Sequence, residues 1–247
     1  MIMNFSKFFL LFFLVFIVSC SNNNNFDSKN DANNNPQKPE LLYVEAMKEF
    51  EKQNYEAAVE KLQKIYKLYP LSNEAIQSQI MIGFSYYIRM EYEKAIFKFD
   101  QIIQRYPSHK NLDYVYYMKA LSNYEQINNA QLDGAYNEIA IDNFNQVINR
   151  FPLSEYAKDS YQKIILVKSN QAAKHMSIGK FYLDEKKYTA SLNRYKIVVE
   201  DYSETKFTPE ALHRMVEIYF EIGLKNEAKS PAAVLGDNYP ESKGYKY

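Results

Sequence analysis

The chain has 247 residues, enough for one or two folded domains, and its formal net charge at neutral pH is zero. Thirty basic residues balance thirty acidic ones, which excludes the strongly basic surface needed for non-specific nucleic-acid binding, so we expect no nucleic-acid partner. Only 6 glycines and 8 prolines accompany 23 tyrosines and 16 phenylalanines, and this balance favours packed helices over loop-rich or disordered structure.

Residues 1–19 have the pattern of a secretory signal peptide. Lys7 precedes an unbroken apolar stretch, residues 8–18, which is shorter than the roughly twenty residues that span a bilayer. The Ile-Val-Ser-Cys sequence at 17–20 resembles a bacterial lipobox, which implies that Cys20 is lipidated and begins the mature protein. The alternative is that Cys20 is a free, buried cysteine. Because Cys20 is the single cysteine, no internal disulfide can form.

Residues 20–39 are rich in asparagine and poor in apolar side chains. Such a segment cannot bury enough apolar area to offset the entropy of ordering it, so we expect a disordered tether. By analogy with lipoprotein sorting rules, Ser21 directly after the cysteine favours delivery to the outer membrane. We therefore expect a protein held by lipid through Cys20 at the periplasmic face of that membrane.

A repeated phrase follows the tether. Tyr55-Glu-Ala-Ala-Val leads to Tyr69-Pro70, and Tyr92-Glu-Lys-Ala-Ile leads to Tyr106-Pro107. Weaker copies lead to Phe151-Pro152, Tyr202-Ser203 and Tyr239-Pro240. Apolar residues recur at helical spacing, and each proline would end a helix because it cannot continue the hydrogen-bond ladder. The pattern resembles the tetratricopeptide repeat and predicts an all-α superhelical solenoid of five tetratricopeptide-like helix-turn-helix repeats.

The spacing of the repeats predicts two irregularities. Successive closing positions are 37, 45, 51 and 37 residues apart, against about 34 in the regular repeat. The second interval predicts a surface loop at about residues 126–138. The third predicts one long helix from about Glu155 to Asp184 that joins repeats 3 and 4, because Ser154 can cap a helix start and no Gly or Pro then appears until Gly179.

Small residues in the first helix of four units predict close helix approach, and a β-branched residue predicts looser packing in the fifth. These positions are Ala46, Gly83, Ala120, Gly179 and Val216.

No arrangement of residues indicates catalysis, a metal site or a cofactor. His109, His175 and His213 lie far apart, and no glycine-rich phosphate loop or nucleophile elbow is present. We expect His175 to pack structurally. A peptidoglycan-cleaving enzyme would need a Glu-Ser pair in a separate catalytic domain, and the single such pair is Glu241-Ser242 near the end. We therefore expect no enzyme.

In tetratricopeptide folds the first helix of each unit lines a groove, and most groove positions here are aromatic. Aromatic side chains bury large areas, so this pattern predicts capture of a peptide with aromatic or apolar side chains. The alternative is that the rings pack against an insertion or against the tether. The groove candidates are Tyr43, Phe50, Phe84, Tyr87, Tyr114, Tyr117 and Tyr124.

Two segments carry a resemblance to a known family. Residues 111–121, Asn-Leu-Asp-Tyr-Val-Tyr-Tyr-Met-Lys-Ala-Leu, and residues 150–160, Arg-Phe-Pro-Leu-Ser-Glu-Tyr-Ala-Lys-Asp-Ser, resemble signatures of the BamD family. These are outer-membrane lipoproteins of the β-barrel assembly machine. The stretch before Ile139 is shorter than the family commonly has. The resemblance implies a client-binding half at 40–152, an insertase-docking half at 153–240 and a tail at 241–247.

The resemblance also implies partners. These are unfolded outer-membrane β-barrel proteins, the POTRA region of a BamA-like barrel insertase, and other lipoproteins of the assembly complex. Arg194 resembles a family arginine that faces the insertase, and a carboxylate is the expected partner. The alternative is a periplasmic tetratricopeptide lipoprotein that serves pilus secretin assembly or envelope constriction.

Overall fold

A computed structural model describes residues 37–127 and 135–242, which form ten α-helices and no strand. In chain order the helices are α1 (Pro39–Glu51), α2 (Tyr55–Leu68), α3 (Asn73–Ile88), α4 (Tyr92–Arg105), α5 (Leu112–Tyr124), α6 (Ala135–Arg150), α7 (Glu155–Asp184), α8 (Tyr188–Asp201), α9 (Thr208–Glu221) and α10 (Lys229–Asn238). The predicted signal peptide, Cys20, nearly all of the tether and residues 243–247 of the tail lie outside the described residues.

The helices pair in sequence order into five helix-turn-helix units. Each helix packs against the next, and α1 also contacts α3, α3 contacts α5, and α5 contacts α7. The first helices of the first three units, together with the long α7, therefore lie side by side as one layer. The predicted all-α solenoid of five tetratricopeptide-like units is confirmed.

Four of the five intra-unit turns share one backbone geometry. Gln53, Met90, Lys186 and Gly223 have φ between +57° and +82°, and each directly follows the C-cap of a first helix. The next residue donates its N–H to the carbonyl five positions earlier, as from Glu91 to Tyr86 at 2.9 Å. This is a Schellman motif, which satisfies carbonyls that the helix end would otherwise leave unpaired. Three of the four positions carry a side chain where glycine is preferred.

The long helix α7 has the predicted bounds, Glu155–Asp184. The Ser154 hydroxyl accepts a hydrogen bond from the Tyr156 N–H at 3.3 Å and starts the helix. Ser72 caps α3 in the same way, through the Ala75 N–H at 3.1 Å. Both serines follow a Pro-Leu pair that closes the preceding unit, so the chain turns and restarts within four residues.

Close helix approach occurs where small residues predicted it. A Cβ added to Gly83 would lie 2.6 Å from the Phe99 ring, and one added to Gly179 would lie 2.8 Å from the Tyr195 ring. Ala46 and Ala120 are fully buried. In the fifth unit Val216 is half-buried, and the position of Phe99 and Tyr195 in the repeat is taken by Ala232. Ala232 is exposed, so the fifth unit has no large buried ring at this position.

Two predicted boundaries were wrong. The tether was expected to run through residue 39, but α1 begins at Pro39, since proline is suited to the first turn of a helix. The loop was expected to run to residue 138, but α6 begins at Ala135. Residues 128–134 of that loop lie outside the described part.

Within residues 37–127 and 135–242, no helix combines the length and apolarity needed to cross a membrane. The same residues contain no group of three or more His, Cys, Asp or Glu side chains placed to hold a metal ion.

Candidate functional site

A row of aromatic rings crosses from the first unit to the second. The rings of Phe50 and Phe84 stack at 5.7 Å with an interplanar angle of 16°, and those of Phe84 and Tyr87 stack at 6.4 Å and 11°. Phe50 lies in the last turn of α1 and Phe84 one turn earlier in α3, and those helices are neighbours. All three residues are half-buried, so each ring keeps an accessible face or edge.

A second group of rings joins α5 to the long helix. Tyr156, in the first turn of α7, lies 5.6 Å from Tyr114 and stacks on Tyr117 at 5.0 Å and 27°. The Ser154 hydroxyl and the Asp113 carboxylate are 2.7 Å apart, which fixes the start of α7 against α5. Sequence reasoning did not include Tyr156 among the groove candidates. The Ser154 cap was the signal that could have located it.

Tyr87 connects the two groups. Its hydroxyl donates to Glu125 Oε1 at 3.4 Å, and electrostatic interaction with Tyr87 contributes to raising the pKa of both Tyr114 and Tyr117. We call Phe50, Phe84, Tyr87, Tyr114, Tyr117 and Tyr156 the aromatic strip. The strip spans three units and the start of α7.

The phenols of the strip stay protonated and act as hydrogen-bond donors. Burial raises the pKa of Tyr87 to about 12, helped by the neighbouring Glu125 carboxylate. Burial likewise raises the pKa of Tyr114 to about 12. For Tyr117, burial and a 2.5 Å hydrogen bond that its hydroxyl donates to Asp159 Oδ2 both raise the pKa well above 10. Sequence reasoning missed the two acceptors, Glu125 and Asp159, because both are distant in sequence from the rings they bind.

The structure places two of the seven groove candidates outside the strip. Tyr43 packs on the core cluster formed by α1, α2 and α3, and burial raises its pKa. Tyr124 packs edge-on against Phe144 at 6.1 Å, with Lys163 Nζ 5.1 Å from its ring centroid. The other five candidates lie in the strip. Residues 128–134 of the insertion and 20–36 of the tether, which could have covered the rings, lie outside the described residues.

The strip offers apolar ring surface and the phenols of Tyr114 and Tyr156, whereas those of Tyr87 and Tyr117 already donate to Glu125 and Asp159. It contains no activated nucleophile. Such a surface can hold apolar or aromatic side chains of a peptide and can donate hydrogen bonds to its backbone carbonyls.

Arg194, on α8, is half-buried rather than exposed. No ion pair to its guanidinium is found among the described residues. The pKa of His175 is lowered mainly by burial of its imidazole, and the positive charge of the nearby Arg194 lowers it further. The His175 ring lies 5.8 Å from the Tyr202 ring, as expected of a structural residue, although its Nδ1 is buried without a hydrogen-bond partner.

A cavity of about 780 Å³ lies between the end of α7, the start of α8 and α9. Leu183, Val216 and Phe220 give it an apolar lining, and the carboxylates of Asp184 and Glu217 add negative charge. The lining also includes Glu221 and the cation Lys186, so carboxylates outnumber lysines in this recess.

Comparison with known proteins shows which family this chain resembles in sequence. The family model YfiO, described as an outer membrane lipoprotein, matches residues 35–235. A Rickettsia prowazekii (strain Madrid E) protein named outer membrane protein assembly factor BamD is 38% identical over 220 residues, which cover 89% of this chain and 88% of the relative. The protein of the same name from Caulobacter vibrioides is 37% identical over 206 residues, with coverages of 83% and 68%.

Among solved structures, the TPR2AB domain of yeast Sti1 matches 84% of this chain and 80% of its own with a TM-score of 0.47 and 11% identity. The family model and the two sequence relatives each span most of this chain. The chain belongs to the YfiO family of outer membrane lipoproteins, the family of the BamD assembly factors.

Proposed function

We propose that the protein is a non-enzymatic adaptor subunit of the complex that assembles β-barrel proteins in the outer membrane. Its relatives carry the name of outer membrane protein assembly factors. The observation that carries the proposal is the aromatic strip, a row of half-buried rings on a repeat fold of this family.

The client half comprises residues 40–152, which carry five of the six rings of the strip, and the strip is its binding surface; Tyr156 adds the sixth ring from the start of α7. An unfolded barrel protein contains segments with alternating apolar side chains that become strands in the folded barrel. We assign the segment of its C-terminal strand to the aromatic strip. Apolar side chains of such a strand would cover the exposed faces of Phe50, Phe84 and Tyr87. The phenol of Tyr114, kept protonated by its raised pKa, would donate to a carbonyl of the strand.

The docking half comprises residues 153–240, and it holds the POTRA region of the barrel insertase. Arg194 supports this assignment because it is a half-buried cation with no ion pair among the described residues. A partner carboxylate would give it a charge-assisted hydrogen bond. Other lipoproteins of the complex are further partners, and lipid on Cys20 holds the chain at the periplasmic face of the outer membrane.

Affinity purification from detergent-solubilised envelopes tests the adaptor function. We expect a POTRA-containing barrel protein to co-purify with the wild type and to be lost with Arg194→Glu. Lys196→Glu is the matched control, because Lys196 is an exposed cation on the same helix and its side chain keeps 60% of its accessible surface. Recovery of a pilus secretin without a POTRA protein would overturn the proposal. Mass spectrometry of the mature N-terminal peptide tests lipidation of Cys20, and an unmodified cysteine would contradict it.

A further inference from the structure

A second pocket lies away from the aromatic strip, between α2, α3 and α4. Its volume is about 460 Å³. Its lining residues come from α2, α3, α4 and the position directly after α4, and none of them belongs to the aromatic strip. We call it the Lys98 pocket, and it is lined by Tyr66, Gln79, Lys98, Gln101, Arg105 and Tyr106.

Both cations of the pocket are held by neutral groups. The Arg105 guanidinium lies over the Tyr66 ring at 5.5 Å and the Tyr106 ring at 6.0 Å, and it donates to the Tyr66 hydroxyl. Lys98 Nζ donates to Gln79 Oε1 at 3.2 Å and to Gln101 Oε1 at 3.1 Å. In residues 37–127 and 135–242, neither cation has a carboxylate within ion-pair distance. Each is fixed in position with its charge unpaired.

Several hydrogen-bond donors of the pocket are not used by the contacts of Lys98 and Arg105 described above. Gln79 and Gln101 turn their carbonyl oxygens to Lys98, so the NH₂ groups of both amides remain to donate. The Tyr66 oxygen accepts from Arg105, which leaves its O–H proton free to donate. Burial also lowers the pKa of Lys98, since the ammonium has lost part of its hydration. An incoming anion would be met by several donors and two cations.

We propose that the Lys98 pocket binds the carboxylates of an extended acidic peptide segment of a partner protein. Lys98 and Arg105 are seven residues apart on α4, a rise of about 10 Å. On an extended segment in the polyproline II conformation, two acidic side chains three residues apart lie on the same face and are about 9 Å apart, whereas on a β-strand they would face opposite sides. The Tyr66 and Tyr106 rings beside Arg105 give an apolar side chain of the same segment a surface to pack on. The site uses different residues from the client strip, so it does not depend on the proposed function.

Fluorescence anisotropy with the full mature lipoprotein in detergent tests the site. The probe is a labelled peptide that carries Glu-x-x-Glu beside a leucine, compared with the same peptide carrying Gln at both positions. We expect the Glu peptide to bind in a salt-sensitive manner and the Gln peptide not to bind. We expect Arg105→Gln or Lys98→Gln to weaken binding about tenfold, the loss of one charge-assisted contact.

Arg150→Gln is the matched control, because Arg150 also lies over a tyrosine ring, at 5.2 Å from the Tyr116 centroid, but does not line the pocket. The Arg150→Gln variant should bind the Glu peptide with the affinity of the wild type. Thermal melting of each variant verifies the fold, and two separate pocket variants keep the test valid if one is unstable. Equal binding of the Glu and Gln peptides, or equal loss in Arg105→Gln and Arg150→Gln, would overturn the proposal. So would binding of inorganic phosphate with no binding of the Glu peptide.

Discussion

Gly83→Ala tests the close packing of the two helices in the second unit. The new methyl carbon would lie 2.6 Å from Phe99 Cε1, whereas comfortable carbon contacts are about 3.5–4.0 Å. Phe99 is 0% exposed and cannot swing into solvent, so α3 and α4 must separate or the ring must leave its rotamer. Such overpacking costs about 1–3 kcal/mol, and the better helix propensity of alanine recovers about 1 kcal/mol. We expect a net loss of up to about 2 kcal/mol.

Urea denaturation followed by far-UV circular dichroism measures this loss, and a double-mutant cycle assigns it to one contact. Phe99→Leu removes the ring that the methyl group would strike. In that background Gly83→Ala should stabilise the protein by up to about 1 kcal/mol, so the two changes should couple by about 1–3 kcal/mol, the cost of the overpacked contact. Additive effects of the two changes in the double variant would refute the reasoning, because they would mean that the added methyl group does not strike the Phe99 ring.

Three further predictions concern the turns, the acid response and the strip. Met90→Gly should raise the unfolding free energy by about 1 kcal/mol, because Met90 is 75% exposed and has φ +60°; Met90→Ala, which keeps the strained Cβ, should not. His175 has a lowered pKa in the folded state, so the unfolded chain takes up its proton first as pH falls below 6.5. The wild type should therefore lose more stability than His175→Gln between neutral pH and about pH 5, and equal losses would contradict this. Tyr117→Phe removes the hydrogen bond to Asp159 and should cost about 1–2 kcal/mol in urea denaturation. Tyr161→Phe, at an exposed tyrosine of α7, should leave the unfolding free energy unchanged. An equal loss in both variants would contradict the stabilising role of the Tyr117–Asp159 hydrogen bond.

The helices followed from the sequence wherever local signals were unambiguous. The bounds of α7 were predictable because Ser154 caps its start and no glycine or proline occurs before Gly179. The turns at Gln53, Met90 and Lys186 were not, because side-chain-bearing residues seldom adopt positive φ. Their conformation is imposed by the packing of the helices on either side. Pro39 was assigned to the tether because its neighbours are polar, although proline also suits a first turn.

The aromatic strip could be predicted in part. Repeat register selected Phe50, Phe84, Tyr87, Tyr114 and Tyr117, and the structure brings these five together. Register alone could not supply Tyr156, which reaches the strip from the next unit, or the carboxylates of Glu125 and Asp159 that accept from the phenols. These contacts depend on how one unit is rotated onto the next, and helical periodicity within a unit carries no information about that rotation.

Photocrosslinking from the strip tests the central claim most directly. A photoreactive phenylalanine derivative at Tyr87 is compared with the same derivative at Phe97, a 64% exposed aromatic residue of α4 outside the strip. Each variant is incubated with an unfolded outer-membrane barrel protein and illuminated. We expect labelling from position 87 to be several times stronger and to be competed by a peptide of the barrel's C-terminal strand. Equal labelling from both positions, or labelling that the peptide does not reduce, would contradict the account.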